Sequence, residues 1–144
     1  MSARTITVEH GGKKYTGHVA TIKSTRLGYE DHGILTASLE LAWTGGGVVF
    51  GGFCLDTAKD RDAKDYSREG TAYGLDHLIR IIETVGVEKW EALKGANVIA
   101  LFDFTESGNT WGARVQGIAA LLGDRVFIPS EHAAEWRERM GVSA

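Results

Sequence analysis

Ten consecutive residues, Ile34 to Trp43, alternate with a period of two: Leu35, Ala37, Leu39, Leu41 and Trp43 fall on one face, Thr36, Ser38 and Glu40 on the other. Successive side chains of an extended chain point to opposite sides, so this pattern specifies a strand with one buried and one wetter face. Such a strand is not stable alone. It needs hydrogen-bonded neighbours and a second layer over its apolar side. After Thr44, Gly45, Gly46 and Gly47 lead into another apolar run, Val48 to Asp56, so the first neighbour is expected through a hairpin. Gly51 and Gly52 interrupt that run and predict a bulge or a close backbone contact.

The same signals recur along the chain. Thr5 to Glu9 and Tyr15 to Ser24 read as strands joined by a Gly11-Gly12 turn, with a polar loop expected from Thr25 to Gly33. At Thr71 the period changes: Leu75, Leu78, Ile79 and Ile82 fall at helical spacing, with Asp76, His77, Arg80 and Glu83 opposite. This predicts a principal helix from Thr71 to Val85 that buries the leucine and isoleucine stripe, capped by Thr71 and stopped by Gly86. Trp90 and Leu93 then anchor a short helical turn, and Asn97 to Phe104 reads as a strand. Ala113 to Leu122 fits either period and is taken as a strand, followed by a Gly123-Asp124 turn and a strand from Val126 to Ile128. Pro129-Ser130 opens a short terminal helix carrying Ala133, Trp136 and Met140 on one side. The expectation is one α+β domain over residues 1–144, a mainly antiparallel twisted sheet or partly open barrel of about six strands on one principal helix.

Composition narrows function mainly by exclusion. A net charge of −3 gives no basic surface for gripping nucleic acid through charge, and no apolar run approaches the length needed to span a bilayer. The opening residues lack the apolar core of a secretory signal, so a cytoplasmic setting is expected. Cys54 is the only cysteine; it cannot form an internal disulfide, and its apolar neighbours predict a small buried side chain. Phosphate-loop, dinucleotide-binding, zinc-protease and serine-hydrolase fingerprints are all missing, which favours a protein that binds over one that catalyses.

Three polar segments could carry recognition. In Gly28 to Gly33, Tyr29, Asp31 and His32 stand between two glycines just before the strongest strand. A carboxylate and an imidazole together can exchange a proton, bind a metal or read a ligand edge; the alternative is a polar turn bonding to its own backbone. At the start of the principal helix, Arg68, Gly70 and Thr71 offer a charge, backbone donors and a hydroxyl to an anion, and Tyr73 could stack on a base. The alternative there is an ordinary capped helix, with Gly74 allowing close packing. The third segment, with Asp60, Asp62 and Asp65, lacks the turn glycine and terminal glutamate of a calcium loop and reads as a solvated surface.

The blocks LGYEDHGILT, GGFCLD, GTAYGLDHLIRIIETVGVEKWEALKG and GIAALLGDRVFIP, in this order between about Lys23 and Pro129, resemble a family of small uncharacterised bacteriophage proteins. The resemblance implies an accessory or counter-defence role in the host cytosol. By analogy with such factors, the first expectation is a non-enzymatic sponge for a small anionic nucleotide, possessing no cofactor or metal, possessing a capacity to dimerise, and using Tyr29, Asp31, His32, Arg68, Gly70, Thr71 and Tyr73. A protein-binding inhibitor of a host or defence protein, or a metal-dependent hydrolase using Asp31, His32, Asp56 and Asp76, are the alternatives.

Overall fold

The computed structural model describes residues 5–30, 33–59 and 67–141. Its strands are β1 (Thr5–His10), β2 (Lys13–Glu30), β3 (Ile34–Trp43), β4 (Gly46–Cys54), β5 (Asp56–Ala58), β6 (Arg68–Gly70), β7 (Asn97–Asp103), β8 (Gly117–Ala119) and β9 (Val126–Phe127); its α-helices are α1 (Ala72–Val85) and α2 (Pro129–Arg139). Seven strands form one antiparallel sheet in the order β4-β3-β2-β7-β8-β9, with β1 also on β2, while β5 and β6 make a separate ribbon. The two ends of that path do not pair with each other, so the sheet is open rather than a barrel.

Strand β2 organises the sheet. Its first half pairs with β1 on one edge and β7 on the other, and Thr21 pairs with both Asn97 of β7 and Ala42 of β3. Strands β1 and β3 therefore lie end to end along the same edge of β2. Where a polar loop was expected from Thr25, β2 instead continues to Glu30, because each residue from Ser24 onward finds a partner on β3. Tertiary pairing outweighs the weak local preference of a polar run.

The alternation in β3 is realised: Ala37, Leu39 and Leu41 are buried. The expected bulge is present too, since Ala37 faces Phe53 while Ser38 faces Gly51, leaving Gly52 unpaired. Both faces of β7 are covered. Val98, Ala100 and Phe102 join the core under α1 with Ile22, Leu39, Phe50 and Ile81, while Ile99 and Leu101 pack on the other side with Tyr15 and Ile128. That is why its sequence is a continuous apolar run. The segment taken as a strand from Ala113 to Leu122 forms only the three residues of β8.

Helix α1 begins and ends as its sequence predicts. Thr71 caps the first turn, its hydroxyl accepting from the Gly74 N–H at 2.8 Å and donating to the Leu55 carbonyl at 2.8 Å. Gly86 closes the helix in the left-handed region, at φ 87°. The buried face, however, is not the expected one. Leu75 is 62% exposed and Ile79 is exposed as well, whereas Gly74, His77, Ile81 and Thr84 face inward. The rotation has a physical cause at Gly74, where a Cβ would lie 1.9 Å from the Leu55 carbonyl oxygen. Only glycine lets the helix backbone approach that closely, and this contact sets which side turns in. Cys54, expected to be buried, is exposed at the end of β4 because the chain leaves the sheet there. No helix of the described residues is long and apolar enough to cross a membrane.

Candidate functional site

Register gathers most of the expected recognition residues at one end of the sheet. Tyr29 faces Leu35 across β2 and β3; the Leu35 carbonyl accepts from the Leu55 N–H at 2.9 Å; the Leu55 carbonyl accepts from Thr71. Gly70, on β6, pairs with Asp56 one residue further along. Tyr29, Gly70 and Thr71 are thus linked through strand pairing, the Leu55 backbone and the Thr71 hydroxyl, and Tyr29 and Gly70 are exposed. Asp31 and His32 lie outside the described residues, as do Asp60, Asp62 and Asp65.

Arg68 is not a free cation waiting for an anion. Its Nε and Nη2 donate to the two carboxylate oxygens of Asp56 at 3.0 and 2.8 Å, and Nη2 also lies 3.6 Å from Cys54 Sγ. Asp56 is buried, and the Arg68 guanidinium holds its carboxyl below the usual range. A two-point Arg-carboxylate pair is a strong, geometrically fixed contact, so an incoming phosphate would have to compete with it. Thr71 is likewise engaged at both ends of its hydroxyl.

Tyr73 leads to a different surface. Its ring stacks on His132 of α2, with centroids 5.0 Å apart, and meets Trp136 edge-on at 6.3 Å. Asp76 ties the helices together: its Oδ2 accepts from His132 Nε2 at 2.8 Å and from Trp136 Nε1 at 3.1 Å. Burial alone would raise the Asp76 carboxyl, but these donors and the nearby Arg80 hold it below its ordinary value. Behind them His77 is fully buried, and neither ring nitrogen has a partner among the described residues. Burial, aided by neighbouring His132 and opposed by Asp76, pushes its pKa down to about 4.

Between α1 and α2 this packing leaves a groove of about 310 Å³ lined by Tyr73, Ala133, Trp136, Arg137 and Met140. Arg137 forms no ion pair among the described residues. Its charge opposes the burial that raises the Tyr73 hydroxyl pKa. Two aromatic rings and a cation therefore share one groove beside the first turn of α1. Sequence reasoning found Tyr73 but missed Trp136 and Arg137. The available signal was the spacing of His132 and Trp136, which places both on one face of α2. A larger cavity of about 460 Å³ lies by the β3–β4 turn, at the opposite end of β3.

Among the described residues no group of three or more histidine, cysteine, aspartate or glutamate side chains is arranged to hold a metal ion. No family model matches the chain, and no curated protein or solved structure shows significant similarity to it.

Proposed function

We propose that the chain binds a small anionic nucleotide without turning it over, in the groove between α1 and α2. The observation that carries this reading is the meeting of Tyr73, Trp136 and Arg137, which has no ion-pair partner among the described residues, in one cavity. A base stacks on an aromatic face regardless of its identity, and a phosphate is drawn to a guanidinium. The site differs from the sequence expectation in its cation: Arg137 takes the part assigned to Arg68, which Asp56 already holds. With the resemblance to small phage proteins, the reading extends to sequestration of a cyclic nucleotide signal in the host cytosol, with two copies of the chain able to associate.

The test is calorimetric titration with cyclic di- and trinucleotides and ADP-ribose derivatives, with product analysis after each run. Wild type is expected to bind at least one of them and return it unchanged. Arg137→Glu should weaken that binding about tenfold or more, since it puts repulsion beside the anion, while leaving the fold intact because the side chain is exposed. Uniform absence of binding refutes the reading; release of a new product makes the protein an enzyme.

A second reading, inhibition by direct protein contact, is favoured by one observation. Leu75 and Ile79 present apolar surface on the outer side of α1. Adjacent exposed apolar side chains of this kind are common at protein interfaces. The hydrolase reading has less support, because Asp56 and Asp76 are both engaged by internal donors.

A further inference from the structure

We infer that the cavity beside the β3–β4 turn is a second, separate site, for an uncharged planar heteroaromatic ring of nucleoside size. Its floor is an aromatic stack: His18 and Trp43 lie face to face at 4.4 Å with planes 9° apart, and Phe102 meets both edge-on. His18 is buried, and burial lowers its pKa and so favours the neutral imidazole. Its Nε2 bonds to Thr110 Oγ1 at 2.7 Å, which fastens the 108–113 turn over the sheet.

That turn is ordered by its own bonds. The Trp111 N–H donates to Asn109 Oδ1 at 3.0 Å and the Ala113 N–H to the Thr110 carbonyl at 2.9 Å. It nevertheless holds the Trp111 indole at the cavity mouth with 92% of its surface open to water. The ring adds nothing to the core and stays free to cover a ligand seated on the aromatic floor. The opposite wall is the glycine turn, where the Trp43 indole lies so close to Gly46 that a Cβ there would sit 2.7 Å from Nε1.

The lining selects the ligand's chemistry. No lysine, arginine, aspartate or glutamate contributes to it, so nothing compensates a ligand charge on entry. Its polar side chains include the His18 imidazole, the Thr44 and Thr110 hydroxyls and the Asn109 amide, beside the backbone of two glycine-containing turns. Four aromatic rings, His18, Trp43, Phe102 and Trp111, contribute to its lining and suit a flat ring. At about 460 Å³ the cavity is in the range used for small ligands. This inference does not rest on the nucleotide groove, which has a different lining and a cation.

The test is proton–nitrogen NMR of the four indole N–H groups, Trp43, Trp90, Trp111 and Trp136, assigned by single Trp→Phe variants. The probes are adenosine, guanosine, uridine and a neutral oligosaccharide. A nucleoside should shift the Trp43 and Trp111 signals saturably, leave Trp90 unmoved, and give the same Trp43 and Trp111 shifts in Trp136→Phe, where the groove has lost its indole. Trp111→Ala should weaken that binding by roughly tenfold to a hundredfold, the usual effect of losing a stacking platform, with the remaining indole signals still at folded positions. Arg137→Glu should leave nucleoside binding unchanged, which separates this site from the groove. Binding of the oligosaccharide alone, a shift confined to Trp136, or no saturable shift overturns the inference.

Discussion

Replacing Gly74 by alanine normally stabilises a helix, since alanine exceeds glycine in helix propensity by about 1 kcal/mol. Here the sign should reverse. The added Cβ would lie 1.9 Å from the Leu55 carbonyl oxygen, with the Leu55 carbon and Cα at 2.7 and 2.9 Å. All three neighbours are backbone, so no side chain can rotate away and the helix must lift. Overpacking of this kind costs about 1–3 kcal/mol. Lifting also stretches the Thr71 bond to Leu55, and loss of a helix cap costs about 0.5–2 kcal/mol. After the gain in propensity, the net destabilisation is about 0.5–4 kcal/mol, equivalent to a fall in Tm of roughly 2–4 °C per kcal/mol. Urea and thermal denaturation of wild type and Gly74→Ala measure this directly. An unchanged or raised midpoint would show that α1 does not sit against Leu55, and with it the orientation of Tyr73 and the groove would be wrong.

Leu75→Ala should change stability by no more than about 0.5 kcal/mol, while Ile81→Ala, at a position 1% exposed, should cost about 2–5 kcal/mol; chemical denaturation that reversed this order would restore the leucine stripe as the buried face. Stability should also fall as pH drops from about 6.5 to about 4, because the unfolded chain protonates its histidine near 6.5 whereas folded His77 stays neutral down to about 4. That window corresponds to about 3 kcal/mol, and His77→Phe should flatten the slope within it; equal slopes would remove His77 as the cause. Arg68→Glu should lower the denaturation midpoint, since it sets a second carboxylate against buried Asp56, and an unaffected midpoint would make the ion pair irrelevant to folding.

The fold class was legible because its strongest signals are local and periodic. The alternation in β3, the glycine turn after it and the bulge at Gly51-Gly52 all follow from residue spacing. The limits of α1 were equally readable, since Thr71 and Gly86 act on their own turns. The face of α1 was not. Periodicity reveals an apolar stripe, but the inward side was decided by a backbone contact to Leu55, more than a dozen residues away in sequence. The same limit applied to Arg68, which reads as a surface cation until β5 and β6 pair and bring Asp56 beside it. Tyr73 was found through its place at the helix start, whereas Trp136 and Arg137 became its neighbours only when α2 packed back onto α1. The cavity at Trp111 had a fainter signal, a tryptophan within a glycine- and asparagine-containing turn.

Native mass spectrometry of the protein isolated from cells that make cyclic nucleotide signals tests the central claim most directly. The account predicts a retained phosphate-bearing adduct on wild type, released intact on denaturation and absent from Arg137→Glu prepared in the same way. Bare polypeptide mass from every preparation, under conditions where added nucleotide also fails to bind, would contradict it.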